Sequence, residues 1–156
     1  MSGRLAGQQV LVTGGAGFIG SHLVLHLLES GARVTVVDDL STGALENLHE
    51  SSARHGGDLE VIEHDFAEWA DVESVDRRFD EIYHLAAAVG VRLVVEDPIR
   101  TIETNIHQTS AALRMALPHR TPLLLASTSE VYGKGVKSPF SEEDDMIYGP
   151  TSRSRW

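Results

Sequence analysis

The chain has 156 residues, of which 42% are hydrophobic and 23% charged, a size that buries roughly two thirds of its unfolded surface around one core. A formal net charge of −10 argues against nucleic-acid or anionic-membrane partners, which need a basic footprint, and the absence of cysteine excludes disulfides, thiol nucleophiles and zinc-thiolate sites. With no apolar leader and no run of 18 apolar residues, no membrane span is expected and a cytoplasmic location is.

Strand-length apolar runs alternate with longer segments of helical period, the pattern of a parallel α/β sheet covered by helices. The five predicted strands are residues 8–13, 33–38, 59–64, 81–86 and 122–127, rich in Val, Ile and Leu as a sheet buried on both faces requires. Between the first two, Ile19, Leu23 and Leu27 fall four apart on one helical face, and Gly31 sits where a C-terminal cap belongs. Helices are also expected near 43–53 and 69–78, and over 99–117, which is bracketed by Pro98 and Pro118. From Lys134 to Trp156 the sequence is polar and without period, so the predicted organisation is a nucleotide-binding domain over 1–133 followed by an active-site loop over 134–156.

The first strand runs into Thr13-Gly14-Gly15-Ala16-Gly17-Phe18-Ile19-Gly20 and then a helix. Gly14 and Gly15 permit a tight turn, Gly17 lets backbone approach a pyrophosphate, and Gly20 allows close helix packing. The helix start supplies N–H groups and partial positive charge for phosphates. Asp38 ends the second strand 18 residues after Gly20, where a carboxylate of this fold binds the adenosine ribose. Because Asp39 follows and no Arg or Lys stands beside either, a 2′-phosphate would meet like charge, which favours NAD over NADP.

TGGAGFIGSH, VVDDLSTG, His64-Asp65-Phe66, YHLAA, Thr104-Asn105 and STSEVYG together resemble the successive cofactor motifs of extended short-chain dehydrogenase/reductases, the NAD-dependent epimerase/dehydratase family. The run LLLASTSEVYG is most similar to UDP-glucuronate decarboxylases, with UDP-glucose 4-epimerases and dTDP-glucose 4,6-dehydratases close behind. The resemblance covers essentially the whole chain. It implies a Rossmann-type doubly wound parallel sheet, incomplete at its C-terminal side, and NAD as a recycled redox group that oxidises a nucleotide sugar at C4.

It further implies that Gly14, Gly17, Phe18, Ile19 and Gly20 contact the pyrophosphate and that Asp38, Asp39, Leu40, Ser41, Thr42 and Gly43 contact the adenosine ribose. By the same resemblance Asp65 and Phe66 flank the adenine, Leu85, Ala86 and Ala87 form the nicotinamide-side wall, Ser127 is a further cofactor-binding residue, and Asn105 steadies the loop after the fourth strand. Thr128 matches the catalytic Ser/Thr that binds the sugar 4-hydroxyl, and Glu130 the acid of the decarboxylases and dehydratases.

The family's base is a tyrosine activated by a lysine four residues on, in a YxxxK motif. Here the residues four beyond Tyr83, Tyr132 and Tyr148 are Ala87, Val136 and Ser152. Residues 149–156 look like the loop just before that tyrosine, so the expectation is a chain inactive alone, exposing apolar surface along 99–117 and forming a homodimer or larger assembly. The alternative is a non-catalytic, self-associating NAD-binding module from a naturally truncated gene. No metal site is expected: His22 and His26 have helical spacing but no third ligand, and the acidic run 142–145 lacks the spaced oxygens of a calcium loop.

Overall fold

The computed structural model describes residues 5–73, 77–88, 95–135 and 137–150. The predicted helical positions 74–76 and the loop residues 151–156 lie outside the described residues.

Five parallel strands form one sheet in the order β3-β2-β1-β4-β5: β1 (Gln9–Thr13), β2 (Arg33–Asp38), β3 (Leu59–Glu63), β4 (Glu81–His84) and β5 (Leu123–Leu125). Strand β1 lies at the centre, with Val12 opposite Val36 on one side and Tyr83 on the other. Alternation along β1 sends Val10 and Val12 to one face and Leu11 to the other. On the first face they meet Val24, Leu27 and Leu28 of α1 (Phe18–Glu29), and Leu48, just ahead of α2 (His49–His55). On the second face Leu11 meets Phe66, Trp69 and Ala70 of α3 (Phe66–Glu73) and Ala111, Ala112 and Met115 of α4 (Pro98–Ala116). Helices on both faces of a parallel sheet make this the doubly wound α/β architecture that the alternating pattern predicts.

Local chemistry sets the element ends. Helix α1 stops because Gly31 turns left-handed at φ 89°, allowing its N–H to bond the Leu28 carbonyl while Ala32 N–H reaches Leu27. Helix α4 starts where the Asp97 carboxylate accepts the Arg100 N–H at 3.1 Å and Pro98 occupies the first turn.

Four of the predicted element bounds are corrected; the helix expected near 69–78 runs Phe66–Glu73, with residues 77 and 78 outside it. Strand β4 ends at His84 rather than residue 86, because Leu85 N–H turns to the Thr13 carbonyl and Ala86 N–H to the Thr13 hydroxyl, pulling the chain across the end of β1. Strand β5 keeps only Leu123–Leu125 of the expected 122–127, and as a sheet edge it leaves Leu124 and Leu125 about half exposed. The helix expected over 43–53 is a 3₁₀ turn, Leu45–Leu48, feeding the seven-residue α2.

The chain divides into two compact units between Leu125 and Ala126. The second unit has no strand or α-helix among its described residues. Its order comes from a 3₁₀ turn at Ser129–Tyr132, a bridge between Gly133 and Ile147, and the Tyr132 ring stacked on Phe140 at 5.2 Å. Among the described residues no helix is long and apolar enough to cross a membrane.

Within the first unit, His84 is buried, 2% exposed, with its Nδ1 2.7 Å from Thr13 Oγ1 and its ring 5.5 Å from Phe66. Burial lowers its pKa below the ordinary 6.5, so the folded protein binds this proton less readily than the unfolded chain. The stability it supports is therefore full above pH 6.5 and is lost as pH falls below that value toward the folded-state pKa. Urea midpoints measured at about pH 7.5 and about pH 5.5 are expected to fall less for His84→Asn than for the parent chain.

Candidate cofactor site and active-site segment

The carboxyl ends of β1, β2 and β4 converge on the turn between β1 and α1. Gly14 sits there with φ 70°, and a Cβ on it would lie 2.7 Å from the Ala86 nitrogen. A Cβ on Gly20 would lie 2.2 Å from the Gly14 carbonyl oxygen, so the first turn of α1 closes directly onto the loop. The packing role predicted for Gly20 is thus directed at Gly14 and Gly15 rather than at a strand. Gly17 differs from both, having no protein atom within 4 Å of its would-be Cβ except the Gly14 oxygen at 3.3 Å. Its open side is available to something outside the chain.

Gly17 is also the N-cap of α1, and it provides no side-chain cap; the first turn of α1 holds no acidic residue either. An α-helix start leaves its first N–H groups without intrahelical acceptors, and here no side chain claims them. Phe18 and Ile19 in that turn are 81% and 71% exposed, two large apolar side chains facing outward at the mouth of the loop. The arrangement offers backbone donors and partial positive charge to an anion, with an apolar rim beside it.

Asp38 is 7% exposed and is already engaged: Oδ2 accepts Ala16 N–H and Oδ1 accepts Leu40 N–H, each at 2.9 Å. It therefore ties the glycine loop to the loop after β2, with acceptor capacity left on each oxygen. Leu40 takes a left-handed φ of 56°, and the Asp39 carboxylate caps the same bend by accepting Ser41 N–H at 3.0 Å and Ser41 Oγ at 2.7 Å. Thr42 continues this exposed bend, and Gly43 lies close enough that a Cβ would meet Asp38 Oδ1 at 2.9 Å. Asn47 Nδ2 and Ala44 N–H both donate to the Ala16 carbonyl and complete the brace.

After β4, Leu85 and Ala86 are half-buried and Ala87 is exposed. Asn105 of α4 clamps the next residue, its Oδ1 accepting Ala88 N–H at 2.8 Å and its Nδ2 donating to the Ala88 carbonyl at 3.2 Å. Asp65 precedes α3 and accepts Glu68 N–H at 3.0 Å. Phe66, expected to flank an adenine, instead has its ring in the core against Trp69 and His84, 2% exposed. The α3 helical phase turns this ring inward. Sequence reasoning missed Gln108, whose Nε2 donates to Asp65 Oδ2 at 2.8 Å; no motif marks it.

In the second unit Ser127, Thr128 and Glu130 are exposed. Thr128 Oγ1 accepts Glu130 N–H at 3.3 Å as the cap of the 3₁₀ turn, which fixes the side chain while leaving its O–H to donate. Tyr132 donates to Glu142 Oε1 and Tyr148 to the Val131 carbonyl, each at 3.3 Å. His22 Nδ1 bonds the Phe18 carbonyl on its own helix, and among the described residues no group of three His, Cys, Asp or Glu could hold a metal ion.

The family described as GDP-mannose 4,6 dehydratase matches residues 11–152. The chain is 42% identical to a UDP-N-acetyl-alpha-D-glucosaminuronate decarboxylase of Bacillus cytotoxicus over 96% of its own length and 45% of that protein. It is 41% identical to UDP-glucuronic acid decarboxylase 1 of Xenopus tropicalis over 87% of its length and 31% of the relative. Among solved structures, a UDP-glucose 4-epimerase from Bifidobacterium longum, in complex with NAD+ and UDP, is 29% identical with a TM-score of 0.78, covering 89% of this chain and 42% of that one. The chain thus spans less than half the length of these relatives. The matched span runs from the third residue of β1 to residue 152, and the chain belongs to the NAD-dependent epimerase/dehydratase family, in the division described as GDP-mannose 4,6 dehydratase.

Proposed function

We propose that the first unit holds NAD and that the chain is the cofactor-binding part of a nucleotide-sugar enzyme of the UDP-glucuronate decarboxylase or UDP-sugar 4-epimerase type. The observation that carries this reading is the uncapped start of α1 behind a glycine turn, with the Asp38 carboxylate beside it. Gly14, Gly17, Phe18, Ile19 and Gly20 take the pyrophosphate through backbone N–H groups and the helix dipole. Asp38 and the bend over Asp39, Leu40, Ser41, Thr42 and Gly43 take the adenosine ribose, and Asp65 with the Phe66 backbone takes the adenine edge. Leu85, Ala86 and Ala87 belong to the nicotinamide side, and Asn105 holds the loop after β4 in place through Ala88.

When bound, NAD supplies the hydride acceptor for the sugar C4. In the second unit Thr128 donates a hydrogen bond to the sugar 4-hydroxyl, and Glu130 serves as the acid. No tyrosine of the 156 residues has a lysine four positions on, so these residues supply cofactor binding and substrate contacts without a phenol base. The relatives named as decarboxylases of UDP-linked uronic acids support the UDP-uronate end of this range over the epimerases.

Calorimetric titration of the chain with NAD and, separately, NADP tests the cofactor assignment. NAD is expected to bind at least about tenfold tighter, equivalent to ~1.4 kcal/mol, because a 2′-phosphate meets Asp38 and Asp39. Asp38→Asn is expected to narrow that preference; equal binding of both dinucleotides by the parent chain contradicts the assignment.

We further propose a homodimer or larger assembly through α4. Ile99, Ile102, Ile106 and Leu113 recur along one helical face and are each more than half exposed. A stripe of that kind is covered most simply by its own copy across a two-fold axis. Sedimentation is expected to give a dimer for the parent chain and a monomer for the paired variant Ile102→Asp, Ile106→Asp, with NAD affinity retained.

A further inference from the structure

Three buried side-chain polar atoms lack a hydrogen-bond partner among the described residues: Gln8 Oε1, His55 Nε2 and Gln108 Oε1. Gln108 stands apart because its other end is committed to a residue of the proposed cofactor site. It is 6% exposed on α4, and its Nε2 donates to Asp65 Oδ2 at 2.8 Å. A carboxylate only accepts, so the amide nitrogen must face Asp65 and the amide oxygen must point away. Swapping the two atoms to satisfy Oε1 would set oxygen against oxygen at Asp65. The buried orphan is thus the consequence of the bond to Asp65.

An apolar side chain of the same shape would carry no such orphan, and buried polar groups left unpaired disfavour the fold. The gain on the other side is the geometry of Asp65. Its Oδ1 is held by Glu68 N–H at 3.0 Å and its Oδ2 by Gln108, so the carboxylate plane is fixed from α3 and α4 together. Asp65 and Gln108 line an open groove between these helices, with Glu68, Thr104 and His107. A carboxylate in a fixed plane, with one acceptor position left on each oxygen, discriminates donors from acceptors on whatever edge is presented to it.

We propose that Gln108 is the positioning residue for adenine recognition: it orients Asp65 to accept the exocyclic 6-amino group, and so sets selectivity for an amino over a carbonyl substituent there. This rests on the assignment of Asp65 to the adenine edge above. The same dinucleotide with hypoxanthine in place of adenine carries a carbonyl at that position and would meet the carboxylate oxygen to oxygen.

The test is titration of the full chain with NAD and with nicotinamide hypoxanthine dinucleotide, read as the ratio of the two affinities. The parent chain is expected to favour NAD by about tenfold, a value typical of losing one hydrogen bond to a charged group. In Gln108→Met the ratio is expected to fall to within about twofold, with the thermal unfolding midpoint unchanged or higher because the orphaned oxygen is gone. A merely structural residue would lower both affinities together and leave the ratio alone. Gln108→Glu keeps the shape and forces two carboxylates to share a proton, making the pair a donor; the ratio is then expected to reach parity or invert. A folded variant of either kind that keeps the parent ratio overturns the proposal. So does a parent chain that binds both dinucleotides equally, although its cofactor assignment then stands; a parent chain that binds neither removes that assignment as well.

Discussion

The architecture depends on one close approach of backbone to backbone. Gly14 passes the chain after β4 so tightly that a single added carbon would fall 2.7 Å from the Ala86 nitrogen, and Gly20 brings α1 closer still to the Gly14 carbonyl. No side chain fits at either point. With both gaps closed, Thr13 can use its carbonyl for Leu85 N–H and its hydroxyl for Ala86 N–H, so the turn after β1 and the turn after β4 become one rigid edge. The candidate cofactor site is what that edge leaves open. Once the loop is locked to β4 on one side and to Asp38 on the other, the only direction in which the α1 N–H groups can find acceptors is outward.

The two long helices make the point by contrast. Helix α4 begins with a carboxylate, Asp97, spent on its own Arg100 N–H, and it needs nothing further. Helix α1 begins with a bare glycine and two exposed apolar side chains, an end that is poor as structure and good as a receptor for phosphate. Both starts lie in one chain with the same solvent, so the difference is specific to the site. It also reconciles the proposed dinucleotide site with a net charge of −10: the attraction there comes from oriented peptide groups at a point, not from the sum of side-chain charges.

Much of this was legible beforehand, for reasons that differ by residue. Strands β1 and β2 are apolar runs, and the turn between β1 and α1 carries glycine at positions 14, 15 and 20, where an added Cβ would meet neighbouring atoms under 3 Å away. Strand ends were less legible. β4 was read two residues too long because Leu85 and Ala86 remain apolar after leaving the ladder; what draws them away is Thr13, distant in sequence. Phe66 was assigned to the adenine side by its place in a motif, whereas the phase of α3 puts its ring in the core. Gln108 was invisible, since a glutamine inside a helix has no sequence mark that separates a solvated amide from one buried against a carboxylate 43 positions away.

The three carboxylates at the rim share a further property. Asp38 is held by Ala16 and Leu40 N–H, Asp39 by Ser41, and Asp65 by Glu68 and Gln108. Each is oriented by the protein before any ligand arrives, so binding need not freeze a free rotor, a saving of about 0.5–1.5 kcal/mol per side chain. Orientation by backbone donors also compensates the placing of like charges near one another, since every N–H contributes a dipole aimed at its oxygen. A rim of mobile acids would repel and spread; a rim of capped acids presents fixed acceptors at fixed spacing. In the proposed cofactor site, selectivity for an adenosine with free ribose hydroxyls rests on geometry already present in the fold, through the same caps that stabilise the loops.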